Sequence, residues 1–590
     1  MNVAPYVALI GGSGAVDTSR LSSLTERLRA MGFALLLDTP GVRFLGRSSA
    51  PHFLPQAPGR IFWGSVFDRR SAGFALRADD AELLAPLSRF VTQYWGGYLA
   101  LRETQGRVEL FRDPSGMIPV YLASLGTMHV VTSVPALLFE LELLEPEIDW
   151  TIVAQALAFR DLRPARTALR GISELLPGMS LTFEKDRLDT AQIWSPWTLA
   201  TPDRELASFE VAAKQVRETV LQVSRSWAGT TRHPLVELSG GLDSSIVAAG
   251  LAAAGADPLC VTFIPSAGDS DERKYAQAVT DHLGVRLEEV ALAPDSVDVT
   301  RTDAAWLPRP CARNFAQALD RPLQQAAREH GADMFFSGGG GDNIFCHLQS
   351  TLAVIDLIKR KGLGRTAARA ILDVAEVADV TFWEALRNTA RRRFETPQSR
   401  PRPWVNRFLN KAVKAELPWP ADNPWLEAVN DALPGKRRHV WSLVSVLNHL
   451  EGFGRQQLAP ICSPLLSQPV VETCLRIPTW LWFEQGRNRS VAREAFAGML
   501  PATVIGRRTK AAFDSLGAQI IRRNATQLRA MLLDGVLVRQ GIADPETIDR
   551  AFRGDIADGE VVAELLGIAD VEAWASGWAS WSRGQFRLSA

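Results

Sequence analysis

The sequence has no excess of charge of either sign, because 65 Lys and Arg residues balance 65 Asp and Glu residues. This balance gives no support to nucleic acid or an anionic membrane surface as a partner. The five cysteines are scattered without C-x-x-C spacing, which argues against a disulfide framework or a zinc site. The sequence has no run of ~20 apolar residues that could span a bilayer, and no basic segment precedes an apolar core at its start. We therefore expect a cytoplasmic protein with no membrane or nucleic-acid partner.

The first 200 residues contain short apolar segments that end at glycines or turn residues. Val7–Ile10 runs into two glycines, and Val108–Phe111 ends at the turn sequence Asp113–Gly116. This pattern predicts an α+β or layered β domain over residues 1–200. A change of composition around Trp194–Trp197 indicates a linker to the rest of the chain.

Residues 201–590 alternate between strand-like and helix-like segments. Apolar segments at Pro234–Leu238, Leu259–Phe263 and Met334–Phe336 predict strands, and the segments between them predict helices. Because strands that alternate with helices form parallel sheets, the predicted fold class is α/β with a doubly wound parallel sheet. The stretch from 348 to about 440 is predicted to be a mainly helical addition.

The strongest functional signal is the sequence Ser-Gly-Gly-Leu-Asp-Ser-Ser at residues 239–245, between a predicted strand and a predicted helix. Its glycines allow the backbone to approach a phosphate closely, and the amides at the helix N-terminus favour an anion. Asp243 offers an oxygen ligand for Mg²⁺. A Walker loop is excluded because no G-K-[ST] follows. The alternative is a tight turn with serine caps, but the fit of the whole segment to one pattern favours nucleotide binding.

This segment resembles the pyrophosphate loop of ATP pyrophosphatases such as class B asparagine synthetase. Ser337–Asp342 resembles the second glycine loop of that family, and Arg507–Lys510 resembles part of its C-terminal pattern. The resemblance implies cleavage of ATP between the α and β phosphates, with the substrate carboxylate becoming an acyl-adenylate. It assigns catalytic roles to Lys510, Asp243 and Asp342: the two aspartates hold Mg²⁺, and the lysine offsets negative charge in both half-reactions. The residues implied to bind nucleotide are Leu238, Ser239, Gly240, Gly241, Asp243, Ser244, Ser245, Phe263, Ser337, Gly338 and Lys510.

The N-terminal part resembles the glutaminase domain of asparagine synthetase at Phe111–Gly116 and Leu176–Gly178. A glutaminase of this class needs a cysteine directly after the initiator methionine, because the thiolate is its nucleophile and the free amine its base. This position is Asn2 here, and the first cysteine is Cys260. We therefore predict a degenerate glutamine-amidotransferase-like domain over 1–200, with the amine arriving as ammonia or within a substrate.

The region that would hold the acyl acceptor departs from the asparagine synthetase pattern. Asparagine synthetases have an acidic residue, and β-lactam synthetases a tyrosine, at the second-loop position that is Gly339 here. The charged E-x-R-x-P-F-x-D stretch of the family aligns with Pro460–Ser467, where its acidic and basic positions have become neutral. Free aspartate would lose its charged partners in such a site. A peptide is favoured instead, because its N-terminal amine has a pKa of ~8 and is partly neutral at pH 7 without a base.

Together with the missing cysteine, these departures resemble lasso-peptide cyclases, which are asparagine-synthetase homologues. The resemblance implies that an Asp or Glu side chain of a leader-free core peptide is adenylated, and that the peptide's own N-terminal amine then closes an isopeptide macrolactam. The implied cofactors are ATP and Mg²⁺. The implied partners are the precursor peptide, a leader peptidase and a leader-recognition protein. Two alternatives stay open: a β-lactam-synthetase-like or ammonia-dependent ligase acting on a small acid, and a catalytically inert scaffold of a peptide-maturation complex.

Overall fold

The computed structural model describes most of the chain. The described residues are 5–11, 18–47, 53–54, 59–70, 87–159, 162–185, 187–265, 271–311, 314–348, 350–394, 405–420, 422–427, 429, 431–508, 514–554 and 558–582. The predicted positions Asn2 and Lys510 lie outside these residues. Within them, no helix combines the length and the apolar character needed to cross a bilayer.

Short strands dominate the first third of the chain, as the glycine-punctuated apolar segments predict. The strands are β1 (Tyr6–Gly11), β2 (Ala34–Asp38), β3 (Val42–Gly46), β4 (Phe53–Leu54), β5 (Arg60–Asp68), β6 (Tyr94–Thr104), β7 (Arg107–Arg112), β8 (Tyr121–Leu125), β9 (Met128–Thr132), β10 (Ile172–Glu174), β11 (Met179–Glu184) and β12 (Arg187–Gln192). The accompanying helices are α1 (Thr18–Ala30), α2 (Leu87–Gln93), α3 (Ala136–Glu140) and α4 (Trp150–Ala158). The strands form two six-stranded sheets, ordered β10-β8-β9-β1-β3-β2 and β12-β11-β7-β6-β5-β4, and their pairs are antiparallel.

The two sheets pack face to face because side chains alternate in direction along each strand. On β1, Tyr6 and Ile10 enter an apolar cluster that contains residues of both sheets. Val7 points the other way, into a cluster with residues of α1. The ring centroids of Phe44 on β3 and Trp63 on β5 lie 5.6 Å apart across the sheet interface. The structure therefore has the layered β arrangement that the sequence predicts.

The second part of the chain alternates strands and helices. Its strands are β13 (Pro234–Glu237), β14 (Leu259–Ile264), β15 (Leu287–Ala291), β16 (Met334–Phe336) and β17 (Ile461–Cys462). Its α-helices are α5 (Phe209–Ala228), α6 (Leu242–Ala253), α7 (Arg273–Leu283), α8 (Gln317–His330), α9 (Gly341–Ile344), α10 (Leu352–Lys361), α11 (Arg365–Ala378), α12 (Phe382–Phe394), α13 (Lys411–Glu416), α14 (Pro434–Leu447), α15 (Gln468–Leu475), α16 (Ser490–Ala495), α17 (Ala502–Ile505), α18 (Asp514–Arg523), α19 (Ala525–Leu533), α20 (Val536–Arg539), α21 (Pro545–Arg553) and α22 (Gly559–Ala579). Helices α10 to α14 account for the helical addition predicted from 348 to about 440.

The five strands of this part form one sheet in the order β15-β14-β13-β16-β17, and every neighbouring pair is parallel. Leu235 packs with residues of α8 on one face, and Val236 packs with residues of α5 and α6 on the other. Helices therefore cover both faces of the sheet, which explains why its strands read as continuous apolar runs. The predicted parallel sheet is confirmed.

A buried cluster of ion pairs joins the N-terminal sheets to the second part of the chain. The Glu174 carboxylate accepts hydrogen bonds from Arg112, Arg163 and Arg309 at 2.7, 2.8 and 2.6 Å. Arg163 also pairs with Glu451, which follows α14. Burial alone would raise the pKa of Glu174, but the charges of the three arginines outweigh burial and hold that pKa well below its usual range. Because the cluster draws residues from both parts, it fixes one part on the other.

The segment that was predicted to be a linker packs between these parts. Trp194 and Trp197 are buried, and their indole N–H groups donate to Glu472 Oε1 and to the Trp425 carbonyl, both at 3.1 Å. An indole ring is stabilised by burial when its N–H finds an acceptor. Trp-Ser-Pro-Trp, whose serine and proline are typical of a linker, therefore forms a packed turn instead of an exposed connection.

Candidate active site

The two glycine loops lie at the carboxyl ends of neighbouring strands. The first, Ser239–Ser245, follows β13, and the second, Ser337–Asp342, follows β16. These strands are adjacent at the point where the strand order of the sheet reverses. Parallel sheets bind ligands in the crevice that opens at such a reversal. The topology therefore brings the two predicted loops together at a position suited to a ligand.

The loops approach each other so closely that glycine is required. A Cβ atom on Gly338 would lie 2.5 Å from the backbone nitrogen of Ser244. A Cβ atom on Gly341 would lie 2.3 Å from Cγ of Asp243. Side chains essentially never make contacts this short, so the two loops interlock through their glycines.

Serine hydroxyls order the first loop from within. The Ser239 and Ser244 hydroxyl oxygens are 3.2 Å apart, and the Gly241 amide donates to Ser239 Oγ at 3.3 Å. Helix α6 then begins at Leu242 with no side-chain cap on its N-terminus. Uncapped amides at a helix N-terminus are donors for an anion such as a phosphate group.

Asp243 and Asp342 converge on one guanidinium group. Arg489 Nη1 lies 3.0 and 2.9 Å from the two carboxylate oxygens of Asp243, and 2.7 Å from Oδ1 of Asp342. His347 Nδ1 lies 3.2 Å from the same Asp342 oxygen. The loops thus present two carboxylates to a single cationic nitrogen.

This arrangement fits Mg²⁺ as the ion of a metal–nucleotide complex. Mg²⁺ is usually held by one or two carboxylates, while phosphate and water oxygens complete its shell. Across the described part of the chain, no group of three or more His, Cys, Asp or Glu side chains could hold a metal ion by itself. Asp243 and Asp342 would therefore hold Mg²⁺ together with phosphate oxygens, not as an all-protein cage.

A cavity of about 420 Å³ lies over both loops. The predicted residues that line it are Ser239, Gly241, Asp243, Ser244, Phe263, Ser337, Gly338 and Asp342. Leu238 and Ser245 are instead fully buried below the first loop, and Gly240, at φ +64°, packs against Tyr275. The structure thus gathers most of the predicted nucleotide residues around one cavity, with these three supporting the loop from behind.

Arginines also line the cavity: Arg489, Arg493, Arg507 and Arg508. Arg507 donates to Glu272 Oε1 at 2.6 Å and to the Gly240 carbonyl at 3.3 Å. Its guanidinium carbon lies 4.2 Å from the ring centroid of Tyr275. Several arginines facing phosphate-binding loops suit a polyphosphate ligand. Of these arginines, the family resemblance singles out Arg507 and Arg508 in the sequence, and it does not identify Arg489.

Helix α14 supports the second loop. Asn343 Nδ2 donates to the Ser442 carbonyl at 2.6 Å, and His439 Nε2 lies 3.0 Å from the Ile344 carbonyl. Burial, reinforced by the charge of Lys436, lowers the pKa of His439 to about 3. A neutral imidazole with its proton on Nε2 therefore holds α9 in place behind Asp342.

The region predicted to receive the acyl acceptor adjoins this loop. Strand β17 pairs with β16, and the Ser337 amide donates to the Cys462 carbonyl at 3.0 Å. A Cβ atom on Gly339 would lie 3.7 Å from Ser463 Oγ. Gly339 and the Pro460–Ser467 stretch, which both departed from the asparagine synthetase pattern, thus meet at one place.

Comparison with known proteins places the chain in a family. The model of the asparagine synthase family matches residues 218–448 and 458–576, more than half of the chain. The chain belongs to this family, and it is an enzyme, an ATP-dependent ligase that forms amide bonds. No curated protein matches the sequence.

Two solved structures resemble the chain weakly. One, the allosteric regulatory enzyme of purine biosynthesis, is 10% identical, with a TM-score of 0.22 over 49% of this chain and 80% of its own. The glutamine phosphoribosylpyrophosphate amidotransferase of B. subtilis, complexed with ADP and GMP, is 13% identical, with a TM-score of 0.20 over 57% of this chain and 81% of its own. At these TM-scores neither likeness adds to the assignment.

Proposed function

We propose that this ligase is a lasso-peptide macrolactam synthetase that forms AMP and pyrophosphate. Residues 201–590 would form the ATP-pyrophosphatase domain, and residues 1–200 a glutaminase-like domain that has lost its nucleophile. The observation that carries the adenylation step is the convergence of Asp243 and Asp342 beside two interlocked glycine loops. The proposed setting is the cytoplasm, with a leader peptidase and a leader-recognition protein supplying the leader-free core peptide.

In the first half-reaction, the amides and hydroxyls of Ser239–Ser245 hold the β and γ phosphates of ATP. Asp243 and Asp342 would hold Mg²⁺, which when bound draws charge from the phosphate oxygens. An Asp or Glu carboxylate oxygen of the core peptide attacks the α-phosphorus, and the bond from that phosphorus to the bridging oxygen breaks. The products are the acyl-adenylate and pyrophosphate. Lys510, outside the described residues, is proposed to offset charge in both half-reactions.

In the second half-reaction, the peptide's N-terminal amine attacks the acyl carbon. The bond from that carbon to the AMP oxygen breaks, the amine loses a proton, and an isopeptide bond closes the ring. A peptide amine with a pKa of ~8 is neutral in roughly a tenth of molecules at pH 7, so it can attack without a dedicated base.

The acceptor region favours a peptide over a small acid. Gly339 and Ser463, which face each other beside the second loop, carry no charge to pair with the ammonium and carboxylate of free aspartate. Ser463 is buried, and an unpaired charge placed beside it would be unfavourable. A peptide, whose neighbouring groups are amides, avoids this penalty and uses the space left by the glycine.

The test is turnover of ATP to AMP and pyrophosphate by the purified protein with Mg²⁺ and leader-free core peptides. A peptide product that has lost one water, formed together with AMP, is the expected result. AMP formation only with aspartate and ammonia, or with another small acid, would replace this proposal by the small-acid ligase. Absence of AMP with every substrate and with the partner proteins added would favour the inert scaffold.

A matched pair of variants links turnover to the site. Asp243→Asn removes one of the converging carboxylates and is expected to abolish AMP formation. Asp281→Asn makes the same change on the exposed face of α7, where Asp281 accepts from Gln277, and is expected to turn over normally. Full activity of Asp243→Asn would refute the metal assignment.

A further inference from the structure

Arg489 lies in the candidate metal site in a position that the sequence alone did not suggest. The residue is 7% exposed, and its guanidinium contacts both Asp243 and Asp342. Its backbone lies in the left-handed region, at φ 55° and ψ 32°. A residue other than glycine adopts this conformation at a cost in free energy, and such strain clusters at functional sites. The strained backbone therefore indicates that Arg489 has a role beyond packing.

Neighbouring contacts hold this backbone firmly. Arg493 Nε donates to the Asn488 carbonyl at 2.8 Å, and its Nη2 donates to Asn488 Oδ1 at 2.9 Å. Ser490 Oγ donates to the Leu481 carbonyl at 2.7 Å. The residues on both sides of Arg489 are thus anchored, and the side chain projects from a fixed base into the cavity.

The guanidinium itself is incompletely satisfied. Arg489 Nε is buried and has no hydrogen-bond partner among the described residues. Burying a donor without a partner is unfavourable. A second position of the guanidinium, toward oxygen atoms of a bound ligand in the same cavity, could satisfy this donor as well as the others.

We propose that Arg489 is an exchangeable counter-cation of the aspartate pair, which offsets part of the negative charge of Asp243 and Asp342 until a metal–nucleotide complex displaces it. The proposal rests on the proposed function to the extent that these aspartates bind the metal. A divalent cation that arrives alone has to compete with the guanidinium for the same oxygens. When nucleotide arrives as well, the displaced guanidinium gains phosphate oxygens, with which arginine pairs strongly. Metal and nucleotide should therefore bind cooperatively, each improving the affinity of the other by the same factor.

A purely structural brace would have the opposite effect on metal binding. If Arg489 only held the two carboxylates at the correct separation, its removal would let them repel each other, and metal affinity would fall. If Arg489 competes with the metal, its removal raises the affinity for metal in the absence of nucleotide. The sign of the change separates the two roles.

The experiment is titration of the full-length protein with Mn²⁺, a hard cation that shares oxygen ligands with Mg²⁺. Free Mn²⁺ is measured by electron paramagnetic resonance, first without nucleotide and then with α,β-methylene-ATP, which cannot be cleaved between those phosphates. Without nucleotide, Arg489→Gln is expected to bind Mn²⁺ about tenfold more tightly than the wild type, within the usual range of coupling between sites. The gain in Mn²⁺ affinity on adding the nucleotide analogue should be smaller in Arg489→Gln by a similar factor.

Controls make each outcome decisive. Arg489→Lys keeps the cation and should bind Mn²⁺ as the wild type does, while Arg489→Gln combined with Asp243→Asn should lose the gain. Arg489→Met, a second neutral variant, carries the same expectation if the glutamine variant does not fold. Equal or weaker Mn²⁺ binding by the neutral variants would overturn the proposal. Because no turnover is measured, absence of AMP formation would refute the proposed function and leave this result standing.

Discussion

Replacing Gly338 by alanine should separate the two glycine loops and abolish most of the activity. The added Cβ would lie 2.5 Å from the Ser244 nitrogen, 2.8 Å from its Cα and 2.9 Å from the Asp243 carbonyl carbon. These are backbone atoms of the first loop and of α6, so no side chain can rotate away. Bringing the shortest contact to the 3.4 Å of ordinary packing moves one loop by about 0.9 Å. A displacement of about 1 Å in a catalytic constellation reduces rates about 100-fold.

The assay is the rate of pyrophosphate release with saturating ATP and peptide, together with the free energy of unfolding in urea. We expect a rate loss of about 100-fold with a destabilisation of about 1–3 kcal/mol, typical of an overpacked contact. Gly364→Ala is the matched control, because a Cβ atom there meets nothing within 4 Å and the backbone is extended at φ −179°. A Gly338→Ala enzyme with the wild-type rate would refute the interlocked loops as the basis of the site.

Three further changes test the surroundings of the site. Glu174→Gln should lower the free energy of unfolding at pH 7 by about 3–5 kcal/mol, because it leaves buried arginines without their anion. The control Glu184→Gln, at an exposed position, should change the free energy of unfolding by less than about 0.5 kcal/mol. The pKa of Glu174 is lowered on folding, so its contribution is present above the unfolded pKa of about 4.3 and fades as the pH falls below it. His439 stays neutral in the folded protein but takes up a proton in the unfolded chain below pH ~6.5. The free energy of unfolding of the wild type should therefore fall by about 2 kcal/mol between pH 7 and 5 because of this residue. In His439→Gln this contribution should be absent. Arg507→Gln removes the ion pair with Glu272 at the cavity wall and should raise the KM for ATP about tenfold, measured from initial rates.

For each of these three predictions, one experimental result would contradict the reasoning. Equal urea midpoints for Glu174→Gln and the control would show that the buried cluster does not stabilise the junction. A pH dependence of unfolding unchanged in His439→Gln would contradict a neutral histidine behind the second loop. An unaltered KM for ATP in Arg507→Gln would show that this arginine does not contribute to ATP binding.

The sequence predicted the central sheet well because its strands are local signals. β13, β14 and β16 are short apolar runs bounded by polar residues or glycines, and both faces of each strand are covered by helices. The first glycine loop could be predicted equally well, because the residues that form it are consecutive in the sequence. β17 was not recognised as a strand, because a two-residue element has no periodicity of its own and exists only through pairing with β16.

The linker around Trp194 shows where local composition misleads. Prolines and serines favour a turn, which the segment does form, but they do not report whether the turn is exposed. That outcome depends on Glu472 and Trp425, which accept the indole hydrogen bonds and lie far away in sequence. The ion pairs around Glu174 are equally hidden from local sequence, because their members lie between positions 112 and 451.

Arg489 shows why the site is only partly predictable from the sequence: its partners are distant in the chain, and its backbone goes against local preference. Its contacts with Asp243 and Asp342 span 246 and 147 residues, so no pattern of spacing reveals them. Its left-handed backbone contradicts local preference, which favours glycine or asparagine at such a position. Places where a folded chain overrides a local preference are often functional, because the surrounding contacts must hold the strain. The aspartates could be predicted from their loops, but the cation that contacts them depends on how the fold packs α16, which begins directly after Arg489, against α5.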